Sequence, residues 1–173
     1  MTKHLQVARD LIGETEVPGP RNNPAIMGWA NRVTARALGI AYGGDHVPWC
    51  GLFAAYCVVQ AGLTPPPISI RAKSWATWGQ PIPTSARIPL GAIAVFERKG
   101  GGHVGFVTGV YANGDLLILG GNQGDAVNER RFPRAPTPTR PDIKLVALRW
   151  PNGVAMAGPV QLVSAGTMTT GEA

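Results

Sequence analysis

Residues 45–63, DHVPWCGLFAAYCVVQAGL, join a Pro-Trp-Cys triplet to a nearly unbroken run of apolar and small residues. This pattern predicts a helix that begins at Cys50 and runs to about Gly62, because the TPPP sequence that follows cannot continue a helix. Asp45, in the loop before it, is expected to cap the helix or to meet a substrate amine. The stretch therefore predicts a buried helix with one cysteine in its first turn.

The chain has two cysteines, and they are expected to play different parts. Cys50 and Cys57 would lie about 10.5 Å apart along a helix axis, which exceeds the roughly 7 Å that a disulfide can bridge. Cys57 has the surroundings of a small core residue. Cys50 sits where unpaired backbone N–H groups and the helix dipole favour the thiolate. It is either a nucleophile or a buried thiol at the start of a helix.

The rest of the chain divides into helices first and strands second. Two helices are predicted over residues 2–13 and 23–39, the second with Asn23 as N-cap and Pro24 at its first position. From Gly91 the apolar period changes to two, and four runs predict strands: GAIAVF, HVGFVTGV, DLLIL and KLVALRW. This order predicts an α+β fold with N-terminal helices packed on an antiparallel β-meander.

The length of 173 residues suits one domain, predicted to span residues 1–150. Residues 151–173 are small, polar and without periodicity, which is typical of a flexible C-terminal tail or linker. No apolar run approaches the roughly 20 residues that cross a bilayer, so no membrane insertion is expected. The first twenty residues lack the order of a signal peptide. Another component would then have to carry the protein to any site outside the cytoplasm.

The formal net charge of +6 predicts attraction to polyanions. The basic residues are scattered along the chain, with no zinc-finger spacing and no RNP-type motif, so nucleic acid is not expected as a partner. A bacterial envelope, rich in phosphate and carboxylate, suits the same charge.

His103 is the histidine with the most informative surroundings, because it follows KGGG and opens a strand. If Asn113 and Gly114 form a two-residue hairpin turn, His103 and Asn122 share a face as diagonal neighbours, about 7–8 Å apart between backbones. Glycines on that face would let the Cys50 helix come close, although a bulge would reverse the parity. His4 is expected to be solvated. A zinc pair of His46 with Cys50 would lack two further ligands at a recognisable spacing.

Five segments in fixed order carry a family resemblance: EVPGPRNNPAIMGW, VPWCGLFAAYCVVQAGL, AKSWATWGQPI, PLGAIAVFERKGGGHVGFVTG and LILGGNQGDAVNERRF. Together they resemble the phage and bacterial cell-wall peptidases of the NlpC/P60 and CHAP superfamily, over about residues 10 to 150. The resemblance implies a papain-like fold and hydrolysis of amide bonds in peptidoglycan peptides. It also implies that Cys50 is the nucleophile, His103 the general base and then acid, and Asn122 the orienting third member.

The chain departs from the family at one position that matters for the chemistry. Many CHAP domains carry a glutamate two places before the matching asparagine, where this chain has Gly120. Strong electrostatic support of an imidazolium is thus absent there, and Asn122 alone would hold the tautomer. Because no Asp-rich calcium loop is apparent, neither a metal nor another cofactor is expected.

Residues near the candidate nucleophile are expected to contact substrate. Trp49, Ser74 and Trp75, with Trp78, are candidates for a groove wall, although Trp75 and Trp78 equally suit one face of a short helix packed on the core. Gln123 is a further candidate, and parity puts it on the face opposite Asn122.

The function implied is a peptidoglycan hydrolase with a Cys-His-Asn triad, acting as a phage lysin, a tail-tip peptidase or an interbacterial toxin. Its expected partners are peptidoglycan and, through the tail, phage tail or other assembly proteins. Its expected location is a phage virion, or the host cytoplasm with delivery to the wall. The alternatives are a catalytically silent structural component of a phage tail, and a cysteine acyltransferase or peptidase acting on other substrates.

Overall fold

The computed structural model describes residues 1–83 and 85–164. Within them the helices come first and the strands follow. The helices are α1 Lys3–Asp10, α2 Pro24–Val33, α3 Ala35–Leu38 and α4 Cys50–Gln60, followed by a 3₁₀ helix Ala72–Thr77. The strands are β1 Gln80–Pro81, β2 Ile93–Arg98, β3 Gly101–Val110, β4 Leu116–Gly120, β5 Asn128–Phe132 and β6 Lys144–Trp150. The predicted α+β class is confirmed.

The strands form one antiparallel sheet, but not a simple meander. Its order is β1-β6-β2-β3-β4-β5, so the last strand returns to pair with β2. The sequence prediction missed β5 and β1, because NERRF is mostly charged and Gln80–Pro81 is only two residues long. A charged strand is possible at this edge because β5 pairs only with β4 and both of its arginines are exposed to solvent.

Helix α4 is the centre of the main core and begins at Cys50, as the sequence predicts. Its residues from Cys50 to Ala55 are buried, together with Cys57 and Val58. Phe53 packs against Phe106 of β3, with ring centroids 6.0 Å apart. Both cysteines are free, and Cys57 is a fully buried core residue. None of the described helices is both long and apolar enough to cross a membrane.

The predicted helix over residues 23–39 is divided in two. Thr34 has φ 78°, which ends α2, and its hydroxyl accepts a hydrogen bond from Ala37 N–H at the start of α3. A threonine with this φ interrupts the i to i+4 hydrogen bonding, so the single-helix prediction is wrong at this residue.

His4 is buried and not solvated, so that prediction is also wrong. Its side chain is 1% exposed, and Nε2 lies 2.9 Å from the carbonyl oxygen of Gly91. The ring also contacts Phe106, with centroids 5.5 Å apart. Burial lowers the pKa of His4, so it connects α1 to the sheet as a neutral group.

The hairpin between β3 and β4 differs from its predicted register by two residues. Tyr111 N–H donates to Asp115 O, so the loop is longer than a two-residue turn. A bulge lies between Val107 and Gly109, and beyond it Phe106 faces Leu119. One step further the register pairs Gly105 with Gly120, not with Asn122.

The glycine-bearing face of β3 is not the face that α4 covers, contrary to the prediction. α4 packs on the side of Val104 and Phe106. Gly105 points the other way, where an added Cβ would come within 2.5 Å of Ile118 Cγ2. Ile118 belongs to a second core on the opposite face, with Phe96, Phe132 and Trp150 among its members.

Residues 151–164 are part of the domain, so the predicted boundary at residue 150 is wrong for them. Val160 N–H donates to Ile88 O, and Val163 N–H donates to Val110 O. Val154 and Val160 pack on the second core. The remainder of the predicted tail, residues 165–173, lies outside the described residues.

The close packing of α4 predicts that Gly51→Ala destabilises the protein. An added Cβ would overlap the backbone oxygens of Ser69 and Ile70, which a side-chain rotation cannot relieve. We expect a loss of about 1–3 kcal/mol in the free energy of unfolding, measured by urea denaturation. Gly28→Ala is the matched control, because a Cβ there meets no atom within 4 Å, and it should stabilise α2 by about 0.5–1 kcal/mol. Equal stability of the two variants would contradict this packing.

Candidate active site

Cys50 is the first residue of α4, and its thiol contacts the edge of β3. The side chain is 5% exposed and lies at the backbone N–H of Val104. This N–H is accessible because β4 ends at Gly120, before the position that would pair with Val104. The early end of β4 therefore places the thiol beside the residue that follows His103.

The thiol is protonated at rest, in contrast to the thiolate that the helix start predicts. Burial raises the pKa of Cys50 above its ordinary value. The N–H groups of Val104, Gly51 and Cys50 and the charge of Arg98 lower this pKa, but only in part. Desolvation outweighs the helix terminus in this case because the sulfur is shielded from water.

The segment before α4 is ordered by two acidic side chains, one buried and one half-buried. Asp45 is 2% exposed and accepts hydrogen bonds from the N–H groups of Val17 and Asn23. It therefore fixes the loop and does not cap α4, whose N-cap is Trp49. Trp49 in turn donates its Nε1–H to Glu16 Oε1 at 2.7 Å. These contacts position the start of α4, and with it Cys50.

His103 lies on β3 opposite Phe96 and is also nearly enclosed, with 4% of its surface exposed. Its ring stacks on Phe132 of β5, with centroids 5.0 Å apart and planes 2° from parallel. The imidazole thus lies on the face that carries the second core, while the thiol meets the same strand at the next residue. Among the described residues no hydrogen bond joins the two side chains, a common state in sites without substrate.

Gln123 holds the imidazole. Its Oε1 lies 2.9 Å from His103 Nε2. Its Nε2 donates to Ile118 O at 3.2 Å, to Asn128 O at 2.6 Å and to Asn128 Oδ1 at 3.0 Å. Because three oxygens surround the NH₂ group, the amide cannot be reversed, and its oxygen must face the ring.

This amide orientation fixes the tautomer of His103. An amide oxygen only accepts hydrogen bonds, so the imidazole must carry its proton on Nε2 and donate it to Gln123. The other nitrogen, Nδ1, is then the free base. Burial, with the charges of Arg98 and Arg140, lowers the pKa of His103 to about 4, although the Gln123 hydrogen bond raises it. At neutral pH the ring is uncharged.

The contact predicted for Asn122 is made by Gln123 instead. Asn122 is half-buried with φ 56°, so the chain turns before Gln123, whose N–H donates to Ala126 O. This left-handed residue cancels the alternation on which the sequence prediction relied. The signal in the sequence is weak, because an Asn tolerates this conformation better than most residues but does not require it.

Gly120 makes the contact between Gln123 and His103 possible. An added Cβ at this position would lie 3.0 Å from His103 Nε2 and 2.8 Å from Gln123 Oε1. The space where many CHAP domains have a glutamate is thus filled by an amide from three residues further along the chain. The neutral amide of Gln123 thus takes the place of a charged carboxylate, and a neutral acceptor suits a His103 ring that stays uncharged.

The predicted groove residues are placed differently. Trp49 and Trp75 are fully buried, so neither lines a groove, and the interpretation of Trp75 and Trp78 as one packed face is confirmed. Ser74 donates to Ile68 O and lines an open cleft of about 500 Å³ with Trp78. In the described part of the chain no three His, Cys, Asp or Glu side chains are grouped so that they could hold a metal ion.

Comparison with known families gives one match. Residues 42–122 match the model of the CHAP domain family. This match covers just under half of the chain and supports a domain of the CHAP and NlpC/P60-type cell-wall peptidase superfamily. The match includes Cys50, His103 and Asn122, and Gln123 is the first residue beyond it. No curated protein and no solved structure gives a significant match. At this level the domain indicates a hydrolase or amidase whose substrate is peptidoglycan.

The hydrogen bond to His103 predicts opposite behaviour for two neighbouring variants. Gln123→Leu removes the acceptor, so the Nε2–H tautomer should lose its preference and the pKa of His103 should fall below about 4. The buried oxygens that it leaves unpaired should cost about 1–3 kcal/mol of stability. The measurement is the ¹⁵N chemical shift of both ring nitrogens as a function of pH.

Asn122→Ala is the control for this measurement, because the described structure gives the Asn122 side chain no hydrogen bond. It should leave the tautomer and the pKa of His103 unchanged. If Asn122→Ala changes the tautomer while Gln123→Leu does not, Gln123 is not the partner of the ring. This control stays informative even if Gln123→Leu is too unstable to study.

Proposed function

We propose that this chain is a peptidoglycan hydrolase that cleaves an amide bond in wall peptides, with Cys50 as nucleophile and His103 as proton carrier. The observation that supports it best is the joint placement of the two groups. Cys50 starts α4 against Val104 N–H, and the adjacent His103 has Nε2 committed to Gln123. One nitrogen is therefore left to exchange a proton with the thiol.

The first step begins from a neutral pair. As the Cys50 sulfur attacks the amide carbonyl carbon, its proton passes to His103 Nδ1 and a C–S bond forms. The transfer requires the two side chains to come together when substrate binds, since they are not hydrogen-bonded at rest. The backbone N–H of Cys50, at the start of α4, is placed to donate to the developing oxyanion.

The second half of the reaction returns the proton. His103 donates its Nδ1–H to the nitrogen of the leaving amine, the C–N bond breaks, and a thioester to Cys50 remains. Water then attacks the thioester with His103 again as base, which releases the acid and restores the thiol. Throughout, Gln123 is a positioning residue, because it acts on the ring and not on the substrate.

Asn122 has a different role in this proposal from the one the family resemblance implies. The described structure leaves its amide without a hydrogen bond, and the preceding Gly121 packs closely on Trp49 and Phe53. The amide is therefore near the start of α4 and available to a bound substrate. The setting in a phage particle or a host cytoplasm stays a prediction, and so do the partners of the C-terminal segment.

A matched pair of cysteine variants tests this function. Cys50→Ala should reduce the release of new amine ends from purified peptidoglycan at least about a thousandfold, because it removes the nucleophile. Cys57→Ala removes the other thiol from the same helix and should keep the activity, with a stability loss of about 1 kcal/mol. Mass spectrometry of the fragments also identifies the bond.

The outcomes separate the alternatives. Equal release by both variants would exclude Cys50 as the nucleophile. No release by the unmodified protein, from walls of several bacteria and under reducing conditions, would favour a catalytically silent component or an enzyme with another substrate.

A further inference from the structure

Three arginines lie in the neighbourhood of His103, on the side of the sheet that α4 does not cover. We call Arg98, Arg130 and Arg140 the arginine cluster. Arg98 is the last residue of β2 and pairs with Gly101, so it is a diagonal neighbour of His103 on one face. Its guanidinium lies close enough to act on both His103 and Cys50.

Arg140 reaches the same place through Phe132. Its Cζ lies 4.9 Å from the Phe132 ring centroid, and the same ring stacks on His103. Arg140 also donates from Nη1 to Arg131 O at 2.9 Å, which holds the side chain over the ring. It is half-buried, so its charge is only partly solvated.

Arg130 adds a charge from β5. It shares a face with Phe132, two residues on, and its guanidinium covers Gly124, next to Gln123. An added Cβ at Gly124 would come within 2.5 Å of Arg130 Nη2. Arg98 and Arg140 therefore act on the imidazole from β2 and from the loop after β5, and Arg130 acts on Arg140 from β5.

No carboxylate of the described residues forms a salt bridge with the cluster. The two salt bridges in residues 1–83 and 85–164 join Lys73 to Glu97 and Arg131 to Asp115. Asp142 and Asp115 act on Arg140 from further away, and Asp115 is already paired with Arg131. Burial and the charges of Arg130 and Arg98 lower the pKa of Arg140. The three guanidinium groups outnumber the carboxylates that act on Arg140, so the surroundings of the site attract an anion.

We propose that the arginine cluster binds a carboxylate of the peptide substrate, next to the amide bond that is cut. This inference rests on the proposed function and names the class of substrate: an acidic wall peptide, not an amidated one. Guanidinium groups match the geometry of a carboxylate with two parallel hydrogen bonds. The carboxylates of a wall peptide are the anions covalently joined to the scissile bond, so they reach His103 together with it.

The experiment compares two muropeptides that differ only in charge, one with free carboxylates and one with each carboxylate converted to a carboxamide. Binding is measured by calorimetry with the Cys50→Ala protein, and cleavage with the unmodified protein. Arg98→Gln and Arg140→Gln should each weaken binding of the free acid about tenfold, equivalent to about 1.4 kcal/mol. The same variants should bind the carboxamide as the parent does. Added salt should reduce the preference for the acid.

Arg36→Gln is the matched control, because Arg36 is exposed on α3, which packs beside α2. It should bind both muropeptides as the parent does. Equal binding of acid and carboxamide by the parent would overturn the proposal, and so would an equal loss for both ligands in the arginine variants. Tight binding of a poly(glycerol phosphate) with no preference for the acidic muropeptide would also overturn it.

Binding and cleavage separate this proposal from the function on which it rests. If the muropeptide with free carboxylates binds through the arginines but neither muropeptide is cleaved, the carboxylate-binding proposal is supported and the hydrolase proposal fails. If both muropeptides are cleaved equally and bound equally, the hydrolase proposal is supported and the carboxylate-binding proposal fails.

Discussion

The hydrogen bond from His103 to Gln123 is the interaction on which the candidate site depends. The ring is nearly enclosed, and its pKa of about 4 keeps it neutral, so its chemistry is decided by which nitrogen holds the proton. Gln123 decides this because its NH₂ group is committed to Ile118 and Asn128. The backbone from β4 to β5 thus sets the tautomer of a side chain on β3.

This arrangement favours proton exchange between neutral groups over a preformed ion pair. A thiolate at the start of α4 would gain from the N–H groups there, but the sulfur is buried and its pKa is raised. An imidazolium would gain from a carboxylate at position 120, and the chain has a glycine there and three arginines near the ring. The burial of the thiol and the lack of a carboxylate at position 120 both disfavour charge separation at rest. Substrate binding would have to supply the stabilisation that the resting site lacks.

The sequence predicted the helices and strands better than the contacts between them. The helix from Cys50 and the four strands after Gly91 follow from local patterns of apolar residues, glycines and prolines. The class of protein comes from the resemblance of five segments to a known family. The partner of His103 does not, because one bulge near Thr108 and one left-handed residue at Asn122 shift the register and cancel the alternation. Such features follow from the packing of the whole sheet. The same limit explains His4, whose burial depends on a carbonyl group 87 residues away. It also explains Trp49 and Trp75, because large aromatic residues beside a nucleophile suit a groove and a core equally well.

The most direct test of the neutral pair is the pH dependence of Cys50 alkylation by iodoacetamide, followed by intact mass spectrometry in the Cys57→Ala background. A protonated thiol with a raised pKa predicts a rate that climbs with pH past about 8.5, with no plateau in the acid range. A rate independent of pH between about 5 and 8 would show a thiolate and imidazolium at rest, and that result would contradict a neutral resting pair.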